Sequence, residues 1–147
     1  MLCRYSGKLI AWDVNNENLN FNFFESKLGN NISNKFFRRT RQFDRQARLF
    51  INDYNTIEDE RDHKSAPSNY VQKLREIQGY LGVKHPKLGI GLEGHFGTPN
   101  LAYVRSSLDT LANTGYPIWI TELDVQPGPN QVCFSSSRLS IPVGFIV

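Results

Sequence analysis

Cysteine is nearly absent from this chain. Its 147 residues include two, Cys3 and Cys133, near opposite ends. No CxxC pair occurs, which excludes a disulfide framework or a zinc ribbon, and two free thiols are expected. Histidine is equally scarce. His63 and His85 show no metal-ligand spacing and read as surface residues in polar loops, and neither a metal nor a cofactor is expected. No apolar run is long enough for a membrane-spanning helix. Met1 to Ser6 has no apolar stretch behind Arg4, so it does not read as a signal peptide. Charge of one sign is lacking too: the net charge is +3, too small to argue for a nucleic acid partner. Lys35, Arg38, Arg39, Arg41, Arg45 and Arg48 carry much of the basic charge and read as a solvated helix face. No membrane partner is expected, and the oligomeric state is open. One N-glycosylation triplet occurs, Asn31-Ile32-Ser33, a pattern that also arises by chance.

What is present is an alternation of strands and helices. Lys8 to Val14 reads as a first strand, and a helical region from Phe23 to Phe43 follows. Arg48 to Asn55 reads as the second strand. Tyr70, Val71, Leu74, Ile77 and Leu81 recur at helical spacing, with Ser68 as the expected N-cap and Gly82 as the stop. Leu88 to Phe96 is the third strand, with glycines that point to close backbone approach. Thr98 is the expected cap of the next helix and Pro99 its first residue, with Leu101, Val104, Leu108 and Leu111 on its apolar face and Gly115 beyond it. Ile118 to Val125 is the fourth strand. The order βαβαβαβ argues for a parallel sheet.

All four strands end in polar residues. The first offers Asn15, Asn16 and Glu17, and the second Asn52, Asp53, Tyr54 and Asn55. The third offers Glu93 and His95, and the fourth Glu122 and Asp124. Parallel strands bring these ends to one rim, which in an α/β barrel is the catalytic rim. Two glutamates there, Glu17 and Glu122, are the equipment of a glycoside hydrolase. Trp12 and Trp119 lie within their strands and read as packing residues rather than sugar platforms.

The motifs together resemble glycoside hydrolase family 10, the endo-1,4-β-xylanases, above all its plant members. Ser6 to Glu17, ending in Asn16-Glu17, resembles that family's fourth-strand motif. Phe50 to Thr56 resembles the fifth strand, Gly91-Leu92-Glu93-Gly94-His95-Phe96 the sixth, and Trp119 to Asp124 the seventh. The resemblance implies a partial (β/α)8 barrel of about four βα units over residues 4–126. It implies a retaining enzyme that cleaves xylan or xylo-oligosaccharides without a cofactor. Glu17 would be the acid/base and Glu122 the nucleophile. Asn16 would hold the sugar 2-hydroxyl and His95 would orient Glu122, with Asn52, Tyr54 and Glu93 as further substrate contacts. Members of the family are typically secreted to the extracellular space or cell wall.

The resemblance has limits. A full barrel has eight strands and about 250 residues. Asn20 stands where plant relatives often have histidine. Residues 127–147 depart from the family pattern and read as a divergent, loosely attached tail. Four strands leave two unpaired edges and a half-covered inner face. The alternative is therefore a truncated, inactive fragment or pseudoenzyme, at most binding polysaccharide or a partner chain.

Overall fold

A computed structural model describes residues 2–82 and 87–126. The Cys3 side chain, His85, Cys133 and the tail from 127 onward lie outside the described residues. The elements run α1 (Leu2–Tyr5), β1 (Ala11–Asn16), α2 (Phe23–Leu28), α3 (Ile32–Phe43), β2 (Arg48–Asp53), α4 (Pro67–Leu81), β3 (Leu88–Phe96), α5 (Leu101–Ala112) and β4 (Ile118–Val125). The four strands form one parallel sheet in the order β1-β2-β3-β4. Among the described residues β1 and β4 are its open edges. No helix among them is long and apolar enough to cross a membrane.

The outer face of the sheet carries the core. Leu49 and Ile51 of β2 and Leu88, Ile90 and Leu92 of β3 are buried against Phe37 of α3, Tyr70, Leu74 and Ile77 of α4, and Leu111 of α5. Alternate positions on the same strands are inward-facing: Phe50, Asn52, Gly89, Gly91 and Glu93. A side chain at Gly89 would meet the Phe50 ring at 2.6 Å, and one at Gly91 would meet Asn52 Oδ1 at 2.6 Å. These two glycines make the room that the inner side chains fill. Trp119 lies on the Phe50 ring at 4.6 Å between centroids. Trp12, on the opposite face, donates from Nε1 to Asp44 Oδ2 at 3.0 Å. Both tryptophans pack within the fold, as their position inside strands implies.

Two irregularities decide which residues reach the inner rim. The β1–β2 register shifts between Asp13 and Asn15, and the β3–β4 register shifts between Leu92 and Glu93. In β1, Val14 packs against the outer core and Asn15 bonds to Ser33 of α3, so two successive residues face outward. The parity flips and Asn16 turns inward, where it meets Asn52. In β4, Thr121 bonds inward to Asn52 and the next residue, Glu122, also faces inward toward His95. Each bulge adds one residue and reverses the alternation beyond it.

Several boundaries differ from those read in the sequence. β1 begins at Ala11, not Lys8, because Gly7 at φ +72° and the Lys8 N–H on the Tyr5 carbonyl turn the chain first. β2 ends at Asp53, since Asn55 adopts φ +61°. Ser68 lies inside α4 rather than capping it. Pro67 opens that helix, at a position where its missing N–H breaks no hydrogen bond. Asn100, not Thr98, caps α5, its Oδ1 accepting from the Tyr103 N–H at 3.2 Å, and Pro99 precedes the helix. Asparagine outranks threonine as a cap because its side-chain oxygen reaches the third amide readily. The expected basic face is real at Lys35, Arg38, Arg39 and Arg45, which are exposed; Arg41 and Arg48 are half-buried. His63 is exposed.

Candidate active site at the strand ends

Asn52 sits at the centre of the rim. It is buried and donates from Nδ2 to Glu93 Oε1 at 2.8 Å and to Asn16 Oδ1 at 2.8 Å. Its own Oδ1 accepts from Thr121 Oγ1 at 2.6 Å. One amide thus joins all four strands, with β2 in the middle. With its amide turned over, Asn16 would instead donate to Asp13 Oδ2 at 2.9 Å and to Glu93 Oε1 at 3.2 Å.

His95 organises the β3–β4 side. Its Nδ1 is hydrogen-bonded to Asp124 Oδ1. Its Nε2 lies 3.2 Å from Glu93 Oε2 and 3.7 Å from Glu122 Oε2. The register puts Glu93 opposite Glu122 and His95 opposite Asp124. The hydrogen bond to Asp124 raises the His95 pKa above its ordinary value, against the effect of burial, and Glu93 adds to the rise. The ring is held among the side chains of Asp124, Glu93 and Glu122, which together favour its protonated form. Donor atoms of Glu93, His95 and Glu122 lie within 4.8 Å of one another, close enough to share a metal ion. With Asp124 on Nδ1 and Asn52 on Glu93, the chemistry these side chains offer one another is proton sharing.

Burial sets the acidity of the inner carboxyls. Glu93 is raised from its ordinary 4.5 to about 7, first by desolvation, with repulsion from Glu122 and Glu17 added and the His95 hydrogen bond opposing. Asp13 is exposed on the same face, and partial loss of solvent, then repulsion from Glu122, Asp53 and Glu17, raises it to about 6 against a hydrogen bond with Asn52. Glu17 and Glu122 both act on these two carboxyls.

Glu17 follows β1 directly. Its φ is +53°, in the left-handed region, and its N–H donates to the Asn52 carbonyl at 2.8 Å. The Tyr54 hydroxyl is raised in pKa by burial and by the Glu17 carboxylate, so the phenol lies in that group's field. Behind it stands Phe21, with ring centroids 6.3 Å apart. All seven residues expected at the site, Glu17, Glu122, Asn16, His95, Asn52, Tyr54 and Glu93, are on this rim. Asn52 and Glu93 are buried, while Asn16, His95 and Glu122 are open to solvent. Asp13 and Thr121 were missed. Asp13 gives one signal: it is a carboxylate inside an otherwise apolar strand.

Comparison with known families decides the lineage. The model of glycosyl hydrolase family 10 matches residues 1–140. The chain belongs to glycosyl hydrolase family 10. A relative from Arabidopsis thaliana, endo-1,4-beta-xylanase 5-like, is 48% identical over 130 residues, covering 87% of this chain and 23% of its own length. Among solved structures, a family 10 endoxylanase retrieved from a sugarcane soil metagenome has a TM-score of 0.70 at 26% identity. It covers 84% of this chain and 36% of that one. Xylanase 10B from Thermotoga petrophila RKU-1, in complex with xylobiose, has a TM-score of 0.67 at 29% identity, covering 84% of this chain and 38% of that one. The chain spans about a quarter of the length of the curated relatives it matches. Its four-stranded sheet is part of the family's barrel.

Proposed function

We propose that the protein carrying this chain hydrolyses β-1,4-xylosidic bonds in xylan with retention of configuration. The observation that carries the reading is the placing of Glu122 beside His95, with Glu17 at the end of β1 on the same rim, its N–H on the Asn52 carbonyl. In the first step the Glu122 carboxylate attacks the anomeric carbon while Glu17 gives its proton to the departing glycosidic oxygen. In the second step Glu17 takes a proton from water, which displaces Glu122 from the sugar. Retaining enzymes hold the two carboxyls about 5–5.5 Å apart to permit this direct attack. His95, through Nε2, keeps Glu122 aimed, and Asn16 meets the sugar 2-hydroxyl. Buried Asn52 and Glu93 hold Asn16 and His95, and Tyr54 borders the next sugar.

A second reading is a non-catalytic segment that at most binds polysaccharide or a partner chain. It is supported by the open edges at β1 and β4 and by the exposure of Leu123 and Val125 on β4. The test is hydrolysis of an aryl xylobioside beside Glu122→Gln and Glu17→Ala variants. The enzyme reading expects turnover by the parent, a loss of at least a thousandfold (roughly 4 kcal/mol of barrier) in Glu122→Gln, and partial rescue of Glu17→Ala by azide. Equal rates in the parent and Glu122→Gln favour the second reading.

A further inference from the structure

Asp53 is fully buried at the end of β2, and the chemistry proposed above does not use it. Its carboxylate faces only donors. Oδ2 accepts from the Leu19 N–H at 2.6 Å, and Oδ1 accepts from Asn20 Nδ2 at 2.8 Å and from its neighbour's Tyr54 N–H at 3.1 Å. Asn20 Nδ2 also reaches Ser65 Oγ, tying the same turn to the start of α4. Leu19 and Asn20 are the second and third residues after Glu17. The turn they form has an unfavourable start, because Glu17 sits at φ +53°, a conformation that side-chain-bearing residues rarely adopt. Two backbone bonds flank it: Glu17 N–H to the Asn52 carbonyl, and Phe21 N–H to the Glu17 carbonyl, both at 2.8 Å. Asp53 supplies the remaining anchor from the adjoining residue of the same strand.

We propose that Asp53 is a positioning residue for Glu17: its buried carboxylate locks the turn over Leu19 and Asn20 and thereby fixes where the acid/base carboxyl points. The proposal rests on the reading of Glu17 as acid/base. A carboxylate is required because every neighbour is a donor. An asparagine at 53 would present an NH2 to either the Leu19 N–H or the Asn20 amide, and one bond would become a donor–donor repulsion. The residue is similar in size, so the outer core is left in place while the turn loses its anchor.

The test is Asp53→Asn, with Asn20→Ala as a milder variant that removes one donor and keeps the Leu19 bond. Misplacing an acid/base harms substrates whose leaving group needs a proton and spares those whose leaving group does not. For Asp53→Asn, kcat on xylohexaose should fall about a hundredfold. The first step on a dinitrophenyl xylobioside should fall less than about fivefold, and azide should accelerate the second step. Asn20→Ala should show the same split at about tenfold. Equal losses on both substrates, or none, overturn the proposal. If the parent chain shows no turnover, the enzyme reading fails, and amide hydrogen exchange decides the positioning claim separately. Loss of protection at Leu19 and Glu17 in Asp53→Asn, with Ile90 still protected, supports it; unchanged protection at Leu19 overturns it.

Discussion

Glu93 and Glu122 face each other across β3 and β4, and the His95 Nε2 lies between them at 3.2 Å from one and 3.7 Å from the other. One carboxyl is buried and the other is open. The imidazole is thus shared by a group that the interior drives toward neutrality and a group that is open to solvent. A change in the proton state of Glu93 alters how much of the His95 charge remains for Glu122.

Glu93→Gln should therefore change the pH dependence of stability. The folded pKa of Glu93, about 7, lies above its ordinary 4.5. The folded state binds the proton more tightly, so the favourable contribution is complete below the ordinary value and is lost as pH rises through 7. Asp53, raised to about 6 by desolvation against the hydrogen bonds from Leu19, Asn20 and Tyr54, acts in the same direction. The parent should have a higher urea midpoint at pH 5 than at pH 8. Glu93→Gln should remove the part of that slope nearest pH 7, worth on the order of 2–3 kcal/mol. A parallel slope in both proteins contradicts the assignment.

Gly91→Ala should destabilise through the same network. An added Cβ would lie 2.6 Å from Asn52 Oδ1 and 3.0 Å from the Ile51 carbonyl oxygen. The backbone atom cannot retreat without breaking the sheet, and Asn52 cannot move without releasing Glu93, Asn16 and Thr121. Overpacking of this kind costs about 1–3 kcal/mol. Denaturant unfolding of the variant should show that loss, with activity on an aryl xylobioside falling further than the stability change alone explains.

The sequence patterns that place the fold are visible because they depend on local periodicity. The helical spacing of Tyr70, Leu74 and Ile77 and the apolar run Leu88-Gly89-Ile90 each report a face buried against the other. What periodicity hides is the parity of the rim. Strict alternation would set Thr121 inward and Glu122 outward, and the register shift beside Glu93 turns Glu122 inward as well. Nothing in Thr121-Glu122 marks a bulge, because its cause is the tertiary fit between two strands. Asp53 was visible only as one of several polar residues at a strand end; its donors, Leu19 and Asn20, come from a different loop.

Asp44→Asn tests the other end of the sheet. Asp44 is buried after α3 and accepts from Trp12 Nε1 and from the N–H groups of Gly7, Gln46 and Ala47 at 3.0–3.1 Å. Burial alone would raise its pKa, but the hydrogen bonds from Trp12, Ala47, Gly7 and Gln46 together hold it below its ordinary value. The sign is opposite to that of Glu93: stability from Asp44 is present above the ordinary carboxylate value and is lost as pH falls through the lower folded value. It should therefore appear as a component of acid unfolding below pH 4. Asparagine would turn one acceptor into a donor aimed at donors, at a cost of roughly 2 kcal/mol at neutral pH. Trp12→Phe removes a single donor and leaves an acceptor that the other amides still occupy, so it should cost about 1 kcal/mol. Chemical denaturation across a series of pH values falling from 7 separates the two. An Asp44→Asn deficit that never shrinks as the pH falls shows that the bonds do not depend on the carboxylate charge.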